Sequence, residues 1–185
     1  GLDEVLTYSF DNEPLLEKIK SVPEKRLFLA NAISAEMPAM RTSLAPNLLG
    51  ALVKNERRFD SVNLFEIGRI FQPAGDAKDL PQQPTTLGIL IANKSESSDL
   101  FQHAKGIVLG LGIAIDRGQP GLTQGGVSGR PWVHPIRQAR LSADGIQIGY
   151  LAEIHPLTLN QLDLGHQAAV IEINIDAWRE RRVQE

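Results

Sequence analysis

Apolar and polar positions change their period along the chain in a way that marks out a series of short elements. Residues 4–10 (EVLTYSF) put Leu6, Tyr8 and Phe10 on one face and are rich in aromatic and branched side chains, which predicts a strand. Asp11-Asn12-Glu13-Pro14 then offers a capping side chain and a Pro at the first helical position, with Leu15, Leu16 and Ile19 at helical spacing and Pro23 as the stop. Residues 26–31 (RLFLAN) predict a second strand. The clearest helix covers residues 42–59, capped by Thr42 or Ser43, with Pro46 tolerated in the first turn and Lys54, Arg57 and Arg58 suited to the last. Leu44, Leu48, Leu52 and Phe59 form its apolar stripe. Leu49 and Val53 widen that stripe onto an adjoining face.

Residues 62–71 (VNLFEIGRIF) and 85–92 predict strands on either side of a polar, turn-rich loop. Ser97, Ser98 and Asp99 offer caps for a helix to about residue 111, although Gly106, Gly110 and Gly112 weaken its second half. Residues 118–129 form a Gly-rich connection. Strands 137–142 and 146–154 flank Asp144-Gly145, a two-residue hairpin turn in which both positions tolerate positive φ. His155-Pro156 opens a short helix to about residue 164. Residues 169–176 set Ile171, Ile173 and Ile175 against Glu172, Asn174 and Asp176, the pattern of a half-buried strand. Strands outnumber helices and hairpins dominate, so the expected class is α+β, with a mostly antiparallel sheet flanked by helices. The expected division is one domain over residues 1–176 and a charged linker stub over 177–185.

Composition narrows the chemistry. The chain has 185 residues, 42% hydrophobic and 22% charged, and a net charge of −3, so it carries no broad basic footprint for nucleic acid. It has no Cys, which removes thiol chemistry and Cys-ligated metals and suits a reducing cytoplasm. No apolar run reaches the ~20 residues of a membrane span, so no membrane partner is expected. The opening Gly1-Leu2-Asp3-Glu4, without Met, reads as a piece of something longer.

Candidate polar residues are few. Four histidines lie at 103, 134, 155 and 166 without metal-ligand spacing, and His134 and His155 precede proline, where turn roles are expected. Glu66 and Arg69 share the strand LFEIGRIF but face opposite sides of a sheet unless Gly68 marks a bulge. Glu66 then sits as a carboxylate among apolar neighbours. Arg41, just before the long helix, suits a loop carboxylate, a carbonyl or a ligand phosphate. Phosphate-loop, hydrolase-elbow, zinc-protease and dinucleotide motifs are all missing.

Several segments, taken in order, resemble one family. GLDEVLTYSF, NAISAEMPAMRTSLAPNLLGAL, LFEIGRIF, HAKGIV, WVHPIRQARL and GYLAEIHPLTLNQLDL are similar to the catalytic-like core domain of the β subunit of bacterial phenylalanyl-tRNA synthetase. The resemblance implies a class II aminoacyl-tRNA synthetase-like core without a catalytic, cofactor or metal site of its own. It implies a catalytic α subunit as partner, a heterotetramer, and tRNA, ATP and Mg acting in the whole enzyme. The helix after MRTS then corresponds to the class II interface helix, which makes Leu44, Leu48, Leu49, Leu52 and Val53 the subunit-interface candidates. Arg41, Glu66, Arg69 and His134 are structural or vestigial. On this reading the isolated domain exposes an apolar patch and can pair with itself.

Two alternatives stay open. Gly110 to Arg117 (GLGIAIDR) also resembles the third class II signature, whose arginine holds the ATP γ-phosphate, so an active adenylating enzyme would use Arg69 and Arg117. A free-standing regulatory paralogue is the other. Against the former, the segment precedes the hairpin strands instead of following them, and no Arg-x-Glu pattern accompanies Arg69.

Overall fold

The structure is a computed structural model that describes residues 1–75, 79–95 and 99–179. Its centre is a sheet of seven strands in the order β1-β2-β3-β7-β6-β5-β4. The strands are β1 (Asp3–Glu4), β2 (Ser61–Arg69), β3 (Thr85–Asn93), β4 (Gly121–Gln124), β5 (Val133–Ala143), β6 (Ile146–Ile154) and β7 (Gln167–Asn174). Only the β1–β2 pair is parallel, so the architecture is α+β and mostly antiparallel. On one face lie α1 (Glu13–Lys18), α2 (Ala45–Asn55) and α4 (Pro156–Gln161), closing a core of Leu48, Leu52, Leu64, Leu90, Tyr150 and Val170. On the other lie α3 (Leu100–Ala114) and α5 (Ile175–Arg179), closing a second core around Ile89, Ala104, Val108, Ile171 and Trp178.

Several elements differ from their sequence expectation, each for a tertiary reason. The first predicted strand shrinks to β1. Residues 9–11 turn away and pair with 39–41, through Asp11 N to Ala39 O and Arg41 N to Ser9 O. Residues 27–29 bind the other edge of the same stretch, by Leu29 N to Pro38 O and Met40 N to Leu27 O, so the second expected strand is a single bridge at Phe28. Helix α2 starts three positions after Thr42, and neither predicted cap serves it in the ordinary way: Leu44 precedes it without a side-chain cap of its own. Helix α3 runs through all three of its glycines to Ala114, and Asp99 caps it by accepting from Gln102 N; Ser97 and Ser98 lie outside the described residues. Gly112 is needed there, because a Cβ would stand 2.3 Å from the carbonyl oxygen of Gly118.

Strand β7 is buried on both faces, not one, since it is the central strand between β3 and β6. Its predicted end at residue 176 falls inside α5. Asn174 starts this helix by accepting from Ala177 N, and Asp176 accepts from Thr85 N at 2.7 Å. Of the stretch expected as a linker stub, residues 177–179 are therefore helical, with Trp178 only 3% exposed because it seals the second core; residues 180–185 lie outside the described residues. Strand β4, inside the Gly-rich connection, was too short and polar to predict.

The β5–β6 turn has Asp144 at φ 50° and Gly145 at φ 79°, the paired positive φ of a two-residue hairpin. Nothing lies within 4 Å of a Cβ at Gly145, so a side chain there meets strain alone, without a clash. Gly145→Val is expected to lower stability by about 1 kcal/mol or more, read as a fall in thermal melting temperature.

Candidate functional site

The register aligns Glu66, Gly88, Glu172 and Tyr150 in one row across β2, β3, β7 and β6. All belong to the face that carries α2. The chain entering α2 lies across this row, and each part of it finds a partner there. Arg41 donates to Glu66 Oε1 at 2.7 Å and to the Arg69 carbonyl at 2.9 Å. Thr7 donates to Glu66 Oε2 at 2.7 Å and accepts from Arg41 at 3.0 Å. Asn47, from the first turn of α2, donates to Thr7 Oγ1 and to the Tyr8 carbonyl, which draws residues 7–8 off the sheet. Gly68 makes room for this: a Cβ would sit 2.3 Å from an Arg41 terminal nitrogen.

Glu172, two strands away, takes the helix end. Its carboxylate accepts from Leu44 N at 2.8 Å, Ser43 Oγ at 2.8 Å and Tyr150 OH at 2.9 Å. It thus fills the role of an N-cap from a different element, placing negative charge where the helix dipole favours it. Burial, and then Glu172, push the Tyr150 hydroxyl well above its ordinary pKa, which keeps it a proton donor. Arg130 lies over the Tyr150 ring, 4.3 Å from its centroid. Between the two carboxylates, Gly88 leaves the gap that Leu44 occupies; a Cβ there would lie 2.9 Å from Leu44 Cβ.

The residues singled out in the sequence are thus brought together only in part. Arg41 and Glu66 form a buried pair. Arg69 contributes only its backbone carbonyl to them: β2 and β3 pair without a register break, so Gly68 is no bulge, and the exposed Arg69 side chain lies on the opposite face. His134 accepts through Nδ1 from Ile136 N and Arg137 N, and its ring lies 6.0 Å from that of His155, which caps α4 by accepting from Leu157 N. Arg117 follows α3 by three residues, its backbone N–H bound to Gly112 O, so the GLGIAIDR segment is a helix end and not a strand entering a helix.

The interface candidates divide sharply. Leu44, Leu48, Leu49 and Leu52 are each 0% exposed and belong to this domain's own core, because α2 packs between the sheet and α1; as partner-facing residues they are corrected. Val53 keeps 39% of its surface. It lines a groove of about 830 Å³ with Leu6, Tyr8, Phe10, Leu15 and Lys54, and Leu6 and Tyr8 are largely exposed.

Glu172, Tyr150, Arg130 and Asp11 were not found from the sequence. A carboxylate inside the apolar run Ala168 to Ile173 was the available signal for Glu172, since a central strand buries both faces. Asp11 is also buried, and burial pushes its carboxyl up to about 7, against the pull of Arg26 and Arg41.

The chain matches the phenylalanyl tRNA synthetase β chain CLM domain over residues 1–175. It belongs to that family. It is 32% identical over 189 residues to the phenylalanine–tRNA ligase β subunit of Carboxydothermus hydrogenoformans, covering 95% of this chain and 23% of that protein. To the β subunit of Haemophilus influenzae it is 34% identical over 196 residues, covering 97% of this chain and 23% of that protein. The chain therefore spans less than a quarter of these relatives. Among solved structures, pyrrolysyl-tRNA synthetase from Desulfitobacterium hafniense superposes with a TM-score of 0.73 at 14% identity, over 96% of this chain and 62% of that one. This likeness shows that the β-chain domain has the fold of an aminoacyl-tRNA synthetase.

Two outcomes follow for this site. Glu172→Ala leaves the Leu44 N–H and the Tyr150 hydroxyl buried without an acceptor and is expected to cost about 2–6 kcal/mol in denaturant unfolding, at about 1–3 kcal/mol per orphaned group. Asp11, with its folded pKa raised from 3.8 to about 7, binds a proton in the folded state that the unfolded chain has released. Its contribution to stability is fully present below 3.8 and falls as pH rises to about 7. Asp11→Asn removes this slope, so the difference between variant and parent grows in the variant's favour across that window, as measured by unfolding at a series of pH values.

Proposed function

We propose that this domain is the non-catalytic core of a phenylalanyl-tRNA synthetase β subunit, one that pairs with a catalytic α subunit in the cytoplasm. Through the assembled enzyme, a heterotetramer on this reading, it supports ATP- and Mg-dependent charging of tRNA with phenylalanine. The observation that carries this reading is the use made of the α2 face. The sheet positions from Glu66 to Tyr150 hold a helix end in place, and the three α2 leucines, Leu48, Leu49 and Leu52, fill the space above them. Arg41, the arginine best placed to meet a nucleotide phosphate, is instead bound to Glu66. A domain organised in this way supports a neighbour. The pairing surface is the groove beside Val53, where the exposed Leu6 and Tyr8 adjoin the outer side of α2. An adenylating enzyme using Arg69 and Arg117 has less support, because the first lies on the opposite sheet face and the second follows a helix end.

The reading is tested with the protein alone and mixed with a bacterial α subunit. Alone it is expected to give no amino-acid-dependent pyrophosphate exchange with ATP; robust exchange overturns the non-catalytic assignment. With the α subunit it is expected to co-purify. Val53→Glu is expected to leave the fold within about 0.5 kcal/mol of the parent while weakening pairing by about tenfold or more. Leu49→Glu, by contrast, places a charge in the core and is expected to unfold the domain, read by circular dichroism.

A further inference from the structure

Lys18 and Lys54 are the charged residues that line the Val53 groove, and no carboxylate lines it among the described residues. Both lysines are exposed, and neither has a hydrogen-bond or ion-pair partner among those residues. Lysines in the last turn of a helix commonly bond the terminal carbonyls. These two, at the ends of α1 and α2, do not.

Their positions follow from how the groove is built. Helix α2 forms its base, residues 5–10 one wall and α1 the other. Asn47 donates to the Phe10 carbonyl, and about one turn further on Leu15 lies against Gly50, where a Cβ would stand 3.3 Å from Leu15 Cδ2. Residues 10–15 thus advance beside residues 47–50, so α1 and α2 run in the same direction. One more turn of each brings Lys18 and Lys54 to the same end of the groove. The walls carry Leu6, Tyr8, Phe10 and Leu15, of which Leu6 keeps 86% of its surface and Tyr8 67%. Exposed apolar surface beside unpaired charge marks a binding site, and about 830 Å³ falls within the ~300–1,000 Å³ of small-molecule sites.

We infer that the groove binds an alkyl carboxylate, its chain along Leu6, Tyr8 and Leu15 and its head group between Lys18 and Lys54. The chain covers the apolar walls and the carboxylate meets the two cations, which neither a neutral nor a cationic amphiphile does. A second copy of this chain, docked on the same surface about a two-fold axis, brings two more lysines and no carboxylate of the groove to meet them. The inference does not rest on pairing with an α subunit. A ligand seated beside Val53 and that pairing exclude one another, so the test uses the protein alone.

Calorimetric titration with decanoate, kept below its micelle-forming concentration, is expected to show one saturable site. Hexanoate is expected to bind at least about tenfold more weakly, since each buried methylene is worth up to about fourfold in affinity. Decylammonium, with the same chain and the opposite charge, is expected to be weaker by about tenfold or more. The double variant Lys18→Gln with Lys54→Gln is expected to melt with the parent while losing about tenfold in affinity for decanoate. Amide NMR shifts on titration are expected at residues 5–18 and 47–55. The proposal is overturned by the absence of saturable binding, by decylammonium or hexanoate matching decanoate, by an unchanged double variant, or by shifts centred elsewhere. A dimer in sedimentation that Val53→Glu disperses and decanoate does not overturns it as well, since a second copy then covers the groove.

Discussion

The rest of the α2 face depends on one capture: the Glu172 carboxylate, rising from the central strand, takes the Leu44 backbone N–H and the Ser43 hydroxyl at the entry to a helix that lacks a cap of its own. A helix end left bare in a core would bury donors without acceptors. Glu172 removes that penalty and, in doing so, fixes where α2 sits over the sheet. Arg41 fixes the entering chain in the same way two strands over, on Glu66. The gap at Gly88 lets the chain descend between these two carboxylates, and the α2 leucines then reach the sheet.

The same device recurs on the opposite face. Glu153 of β6 accepts from Phe101 N in the first turn of α3 while receiving Arg137 at 2.6 Å. Each long helix is thus anchored at its N-terminus by a carboxylate from the strand beneath it. The polar residues of the sheet surface are thus engaged in holding helices.

How much of this was legible in the sequence follows from whether a residue's partner is near in the chain. The β5–β6 hairpin could be read because Asp144 and Gly145 settle it locally, and β2 and β3 because each is a long run of apolar and branched residues bounded by a polar, turn-rich loop. The family could be read from ordered segments such as LFEIGRIF. Residues 5–10 could not, since their strand-like pattern is overridden by Asn47 and Arg41 from elsewhere. Nor could the width of the α2 stripe be assigned: Leu49 is apolar whether this domain's own elements cover it or another subunit does. Glu172 looked like the solvent side of a half-buried strand because alternation alone does not reveal that a strand is central.

Strand β7 and the residue pair before it hold both ends of α2: Glu172 meets Leu44 across 128 positions of chain, and Glu56 accepts from Gly165 N across 109 and pairs with His166. An 11-residue helix is marginal in water without tertiary support. Its two end clamps here come from β7, the last strand in the chain, and the residues just before it. Contacts of such long sequence separation form late, after the loop-closure entropy has been overcome, and slow the overall rate. As the chain emerges from the ribosome, α2 must therefore wait through the synthesis of more than a hundred further residues before either clamp exists, with its leucines open to solvent or a chaperone throughout.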